Sequence, residues 1–112
     1  MDDLLMQMGA RIIARRKQLR LTQEELAERA GLTSQTISYA ELGKKGLRPE
    51  SIVSICEALQ ISPTYLLQGE IAASDISILS EKVSQLTPEQ YRYLEDIIDS
   101  YVAAVKSGNS EA

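Results

Sequence analysis

The side chains best suited to chemistry in this chain are uncharged hydrogen-bonding groups within one short segment. Residues 33–38 read Thr-Ser-Gln-Thr-Ile-Ser, and the amide of Gln35 can both accept and donate. Such an amide can pair with adenine through N6 and N7, and serine can accept from or donate to several bases. On an exposed helix these groups would suit the reading of base edges.

Common catalytic and metal-binding groups are missing or poorly placed. The chain has no histidine, and therefore neither an imidazole base nor an imidazole metal ligand. Neither a Gly-rich phosphate loop nor a convergent carboxylate pair is recognisable. The one cysteine, Cys56, lies in the apolar run IVSIC, where we expect a small buried hydrophobe. The sequence predicts a protein that is not an enzyme and uses no metal or cofactor.

Helix-capping residues predict two short helices, and the polar segment lies at the start of the second. Thr22 with Glu25 forms a capping box, and Thr33 can cap the next helix. Gly31 lies where the chain must turn sharply, which favours a residue without Cβ. Two short helices joined by such a turn place a recognition helix in the DNA major groove. Residues 22–42 therefore predict a helix-turn-helix.

Three further helices are predicted around this unit, at about residues 4–19, 50–59 and 63–68. The segment GKKGLRP is predicted to be a loop that precedes the helix at 50–59. Together the five helices can close one core by residue 69. We expect these apolar residues of the first and fourth helices to point inward: Leu5, Met8, Ile12, Ile13, Leu19, Ile52, Val53, Ile55, Cys56 and Leu59.

Residues 70–112 form a second segment of different character, separate from residues 1–69. After a short linker at 70–74, further apolar residues recur at helical spacing, and Thr87-Pro88-Glu89-Gln90 is a strong helix start. The apolar stripe that follows must be buried somewhere. It could fold back on its own domain, but we favour packing on the same helix of a second subunit. The stripe consists of Tyr91, Leu94, Ile98, Tyr101 and Val105.

Charge is divided along the chain. The net charge of −4 argues against a nucleic-acid partner, but residues 11–48 hold nine Lys/Arg against four Asp/Glu. Residues 70–112 hold three against eight, so a basic end can meet phosphate while the acidic end stays away. No apolar run approaches the ~18 residues of a membrane span. The start lacks the basic region of a signal peptide, so we expect a cytoplasmic protein.

Over about residues 9–69 the pattern resembles the phage-repressor/Cro-like (XRE-type) family of helix-turn-helix regulators. An arginine-rich first helix, TQEELA, a Gly turn, TIS, an acidic residue and Gly-Lys carry the resemblance. It implies an all-α, five-helix domain that binds double-stranded DNA, and a transcriptional repressor that binds its operator as a homodimer through the helix at about 33–42. The alternatives are an antitoxin of the same fold, which also binds a toxin, and a protein-interaction module without DNA binding.

The resemblance also implies roles for single residues. Arg16 has two interpretations: contact with the DNA backbone, or a bridge to Glu41 at the end of the recognition helix. We interpret the neighbouring basic residues mostly as a solvated face, and we expect one or two of them to touch DNA; they are Arg11, Arg15, Lys17 and Arg20. The base-reading positions are Thr33, Ser34, Gln35 and Ser38, and the backbone-contacting ones are Arg16, Gln23, Tyr39, Lys44 and Lys45.

Two features depart from the family pattern. The loop GKKGLRP is one or two residues longer than usual, which makes its phosphate contacts less securely placed. Ala40 stands where many relatives have a larger apolar residue, and we expect Tyr39 or Leu47 to fill that space.

Overall fold

The computed structural model describes the backbone of residues 2–111 and the side chains of residues 3–108. Helix is the only regular secondary structure in this range, which confirms the all-α prediction. Seven helices follow one another in the described part of the chain: α1 (Asp2–Gln18), α2 (Gln23–Ala30), α3 (Ser34–Leu42), α4 (Pro49–Leu59), α5 (Pro63–Gln68), α6 (Ala73–Val83) and α7 (Pro88–Glu111).

The predicted caps define the ends of α2 and the start of α3. Thr22 Oγ1 accepts from the Glu25 N–H at 3.0 Å, and Glu25 Oε1 accepts from the Thr22 N–H at 2.9 Å. Gly31 ends α2 in the left-handed region with φ 69°, which favours a residue without Cβ. Thr33 Oγ1 then accepts from the Thr36 N–H at 3.1 Å. Local hydrogen bonding therefore fixes the turn between the two helices.

Helices α1 to α5 enclose one hydrophobic core, as predicted. Helix α1 crosses α3 at Gly9, where an added Cβ would lie 2.4 Å from the Glu41 carbonyl oxygen. This close approach explains why the small Ala40 is buried without a larger side chain at that position. Leu47 packs against the core from the loop. The side chains fully enclosed in the core are Ile12, Leu26, Ile37, Ile55, Leu59 and Leu66.

Two sequence predictions fail at the level of single residues. Val53 is 49% exposed, because it lies away from the face of α4 that buries Ile55 and Cys56. Helix α6 begins at Ala73, inside the expected linker at 70–74. Asp75 in its first turn accepts a hydrogen bond from the Ala72 N–H at 2.8 Å, which supports this earlier start.

The chain divides into two compact units, one up to Ile76 and the other from Ser77. In the second unit Thr87 Oγ1 caps α7 by accepting from the Gln90 N–H at 3.2 Å. Most of the predicted stripe on α7 is exposed in the single chain, up to 70% at Tyr101. The functional division at residue 69 stays a prediction. Within the described residues, no helix has the length and apolar character needed to cross a membrane.

Candidate nucleic-acid interface

The N-terminal ends of α2 and α3 border a shallow depression of about 610 Å³. Helix N-termini present unsatisfied N–H groups and a partial positive charge, which favour anions such as phosphate. The depression therefore combines two helix N-termini with hydrogen-bonding side chains, and Glu24 adds a carboxylate to its lining. Its lining residues are Arg16, Thr22, Gln23, Glu24, Ser34, Gln35 and Ser38.

Of the four predicted base-reading residues, three border this depression. Ser34 and Gln35 are exposed in the first turn of α3, and Ser38 is partly exposed one turn later. Thr33 is exposed as well, but its hydroxyl caps α3 and shares a 2.9 Å hydrogen bond with Thr36 Oγ1. The side chains of Ser34, Gln35 and Ser38 are therefore best placed to meet a ligand.

Gln35 forms part of a surface cluster that also contains Tyr39 and Lys45. Gln35 Nε2 donates to Tyr39 Oη at 2.9 Å, one helical turn away. Lys45 Nζ lies 5.4 Å from the centroid of the Tyr39 ring, within the range of a cation–π contact. The sequence alone did not group these three residues. The i,i+4 spacing of Gln35 and Tyr39 is the signal that could have paired them.

A buried carboxylate joins α1, α2 and α3. Glu41, 6% exposed, accepts from Arg16 Nε at 2.6 Å and from Arg16 Nη2 at 3.0 Å. Gln23 Nε2 also donates to Glu41, at 2.8 Å, while Arg16 Nη1 donates to the Leu21 carbonyl at 2.9 Å. The hydrogen bond to Glu41 raises the pKa of Arg16 above its ordinary value. The predicted Arg16–Glu41 bridge is confirmed, and the direct backbone role of Arg16 stays a prediction.

Two arginines of α1 have structural partners that the sequence did not predict. Arg11 Nη1 donates to the Leu66 carbonyl and Arg15 Nε to the Leu59 carbonyl, each at 2.9 Å. These carbonyls lie near the C-terminal ends of α5 and α4, where helical acceptors need partners. The interpretation of Arg11 and Arg15 as solvated is therefore wrong. Their partners lie 55 and 44 residues away, too far for a local sequence signal.

The predicted loop lysines lie just after the recognition helix. Lys44 and Lys45 are both exposed in the segment 43–48 that joins α3 to α4. The Lys44 N–H donates to the Tyr39 carbonyl at 3.0 Å, which anchors the start of the loop to the end of α3. The loop therefore displays its positive charge beside α3.

Cys56 lies inside the core, as predicted. Burial, with a smaller effect from the negative charge of Asp75, raises the pKa of its thiol to about 11. Among the described side chains, no group of three His, Cys, Asp or Glu residues could hold a metal ion.

Sequence comparison relates this chain to helix-turn-helix proteins. A helix-turn-helix family model matches residues 12–66. The repressor protein C2 of Salmonella phage P22 is 36% identical over 70 residues, which are 62% of this chain and 32% of the phage protein. YqaE of Bacillus subtilis, an uncharacterized transcriptional regulator of the helix-turn-helix type, is 36% identical over 55 residues, 49% of this chain and 47% of that protein.

A solved structure extends the similarity to the fold. The P22 c2 repressor, crystallised with a synthetic operator, superposes with a TM-score of 0.55 at 40% sequence identity. The match covers 56% of this chain and 96% of the crystallised chain. By contrast, the chain spans only about a third to a half of the two curated relatives. The shared helices and their sequence show that the chain belongs to the phage-repressor/Cro-like (XRE-type) helix-turn-helix family.

Proposed function

We propose that this chain is a sequence-specific DNA-binding transcriptional regulator that reads double-stranded DNA with α3. The observation that carries this proposal is the exposed polar edge of α3 beside two helix N-termini. Ser34 and Gln35 in the first turn would meet base edges in the major groove. The α2 N-terminus on one side and the loop lysines on the other would contact phosphates.

Gln23 fits the role of a phosphate contact in this arrangement. It is the first residue of α2, so its backbone N–H lies at the positive end of the helix. Its side chain is already held by Glu41, and a terminal amide has a second N–H with which to donate. Family membership supports the same assignment, since the family consists of DNA-binding regulators.

We also propose that the protein is a repressor and acts as a homodimer through α7. The apolar side chains of α7 are exposed in one chain, and a second copy would remove them from water. Two half-sites about one helical turn apart would then bind together, which raises affinity through effective concentration. The relative from phage P22 is named as a repressor, which supports that direction of regulation.

No specific feature of the described residues or of the relatives favours the antitoxin alternative. We infer further that the chain is not an enzyme and acts without a metal or cofactor, because hydrogen bonding and charge suffice for the proposed activity. A cytoplasmic location stays a prediction that depends on DNA being the ligand.

Random-site selection with the purified protein, followed by footprinting, tests the central proposal. We expect one enriched sequence, and Gln35→Ala should weaken binding to it by about 1–3 kcal/mol and relax the preference at one base pair. Gln68→Ala, on the exposed end of α5, is the matched control and should bind like the wild type. Absence of any enriched site would refute the proposal, and an equal loss on random DNA would remove Gln35 from base reading.

The backbone contacts are tested by the salt dependence of binding. Lys44→Ala should reduce the slope of log K against log[salt] by about one unit and leave the site preference unchanged. Lys106→Ala, at another exposed lysine on α7, should leave the slope unchanged. An unaltered slope in Lys44→Ala would exclude Lys44 from the contacts.

Sedimentation equilibrium of full-length variants tests the homodimer. Changing both Leu94 and Ile98 to lysine should yield a helical monomer, because the change places unpaired charge in an apolar seam. Changing Asp96 and Ser100 to lysine adds charge to the opposite face of α7 and should leave the dimer intact. A wild-type protein that is monomeric at micromolar concentration would refute this part of the proposal.

A further inference from the structure

The cluster of Gln35, Tyr39 and Lys45 has a geometry that suits more than three separate DNA contacts. We propose that Tyr39 is a positioning residue that transmits a phosphate contact to Gln35 and so sets which base Gln35 prefers. This inference rests on the proposed function, since it requires α3 to lie in the major groove.

The Gln35 amide keeps free the hydrogen-bonding groups that it needs to pair with a base. A glutamine amide has two N–H donors and one oxygen acceptor. One N–H is used in the 2.9 Å bond from Nε2 to Tyr39 Oη. The oxygen and the other N–H remain, and these are the two groups that adenine pairs with through N6 and N7. The contact with Tyr39 therefore orients the amide without consuming its reading edge.

The direction in which the Tyr39 hydroxyl points its proton determines the orientation of the Gln35 amide. A hydroxyl can donate one hydrogen bond and accept others, so Tyr39 can either accept from the Gln35 amide nitrogen or donate to its oxygen. The two alternatives correspond to opposite orientations of the amide. Turning the amide over reverses the order in which its donor and acceptor face the groove, which mismatches the edge of adenine.

A phosphate bound to Tyr39 would select between these two orientations of the Gln35 amide. When Tyr39 donates its proton to a phosphate oxygen, it can only accept from Gln35, as in the structure. Lys45 Nζ lies 5.4 Å from the centroid of the Tyr39 ring and places a positive charge beside this side chain. A phosphate attracted there completes a chain from phosphate to Tyr39 to Gln35 to base, in which each hydrogen bond polarises the next.

Tyr39→Phe tests the relay, because phenylalanine keeps the ring and its contact with Lys45 but lacks the hydroxyl. Binding is measured on the selected site and on sites altered at single base pairs, for the wild type, Tyr39→Phe, Gln35→Ala and the double variant. We expect Tyr39→Phe to reduce discrimination at the base pair read by Gln35 by about fivefold or more, with the other positions unchanged. In the Gln35→Ala background, Tyr39→Phe should change discrimination no further.

Tyr65→Phe, a partly exposed tyrosine of α5, is the matched control and should discriminate like the wild type. Thermal unfolding by circular dichroism should be alike in all variants. As a second measurement on the wild type, a neutral methylphosphonate replaces the phosphate footprinted beside that base pair, and it should cause the same loss of discrimination as Tyr39→Phe.

Three results would overturn the relay while leaving the proposed function intact. These are full discrimination in Tyr39→Phe, an equal loss of affinity on every sequence, and an undiminished effect of Tyr39→Phe in the Gln35→Ala background. A wild-type protein that enriches no sequence at all would instead overturn the proposed function, and the relay with it.

Discussion

Removal of the Glu41 carboxylate by Glu41→Ala is expected to lower the free energy of unfolding by about 2–4 kcal/mol. Loss of one partner from a buried ion pair typically costs about 3–5 kcal/mol, because the other charge stays buried and uncompensated. Arg16 is 13% exposed and keeps its bond to the Leu21 carbonyl, so some solvation offsets the loss. We therefore place the expected cost below the full range for a buried pair.

Urea denaturation followed by circular dichroism measures this cost. For a domain of this size, a loss of about 3 kcal/mol corresponds to a melting temperature lower by roughly 12–24 °C. Glu57→Ala, on an exposed position of α4, is the control and should change stability by less than about 0.5 kcal/mol. The comparison separates loss of the buried pair from a general effect of removing a carboxylate.

The double variant Arg16→Met with Glu41→Leu tests whether the cost of Glu41→Ala comes from the charge that is left unpaired. It removes both charges at once, and apolar replacements of similar volume are often neutral or stabilising. We expect it to be more stable than Glu41→Ala alone, although Gln23 loses its acceptor. This reasoning is wrong if Glu41→Ala costs less than about 1 kcal/mol, or if the double variant is no more stable than Glu41→Ala.

Three further predictions follow from single contacts. Gly9→Ala should lower the free energy of unfolding, measured in urea, by about 2 kcal/mol or more, because the added Cβ would lie 2.4 Å from a backbone oxygen. This loss should outweigh the better helix propensity of alanine. Gly108→Ala is the control and should cost nothing, because its Cβ would enter open space. The Asp75 pKa is lowered by hydrogen bonds from the Ala72 N–H and Ser62. The stability lost in Asp75→Asn should therefore be largest above about pH 5 and should shrink as the pH falls through the folded-state pKa of Asp75. The Cys56 thiol, with its pKa raised to about 11, should react with Ellman's reagent at pH 8 only as fast as the fold opens, and rapid reaction in native buffer would contradict its burial.

The parts of the fold that the sequence predicted well are those set by neighbours in the chain. Thr22, Thr33 and Thr87 cap helices in the structure as their spacing indicates. Each cap is a hydrogen bond to a residue three positions further on, so a short stretch of sequence contains both partners. The Arg16–Glu41 bridge spans 25 residues, and only the resemblance to a family suggested it.

Contacts set by the packing of distant helices were not predictable in the same way. Arg11 and Arg15 donate to carbonyls of α5 and α4, and any backbone carbonyl could accept from them, so residue type gives no indication of the partner. Val53 has the same apolar character as its buried neighbours, and only the orientation of α4 against the core decides its exposure. Asp75 binds the N–H and hydroxyl of Ser62, 13 residues away, as well as its own helix start.

The use of the arginines changes how the positive charge of the first 48 residues should be understood. Three of the nine basic residues between positions 11 and 48 donate hydrogen bonds to groups of the protein itself: Arg11 and Arg15 donate to helix carbonyls and Arg16 donates to Glu41. The charge count therefore overstates what is available to phosphate. Under the proposed function, we expect the loop lysines and the helix N-termini to provide most of the attraction to DNA. Since neutral N–H groups bind phosphate without adding net charge, an acidic chain with net charge −4 can still bind DNA.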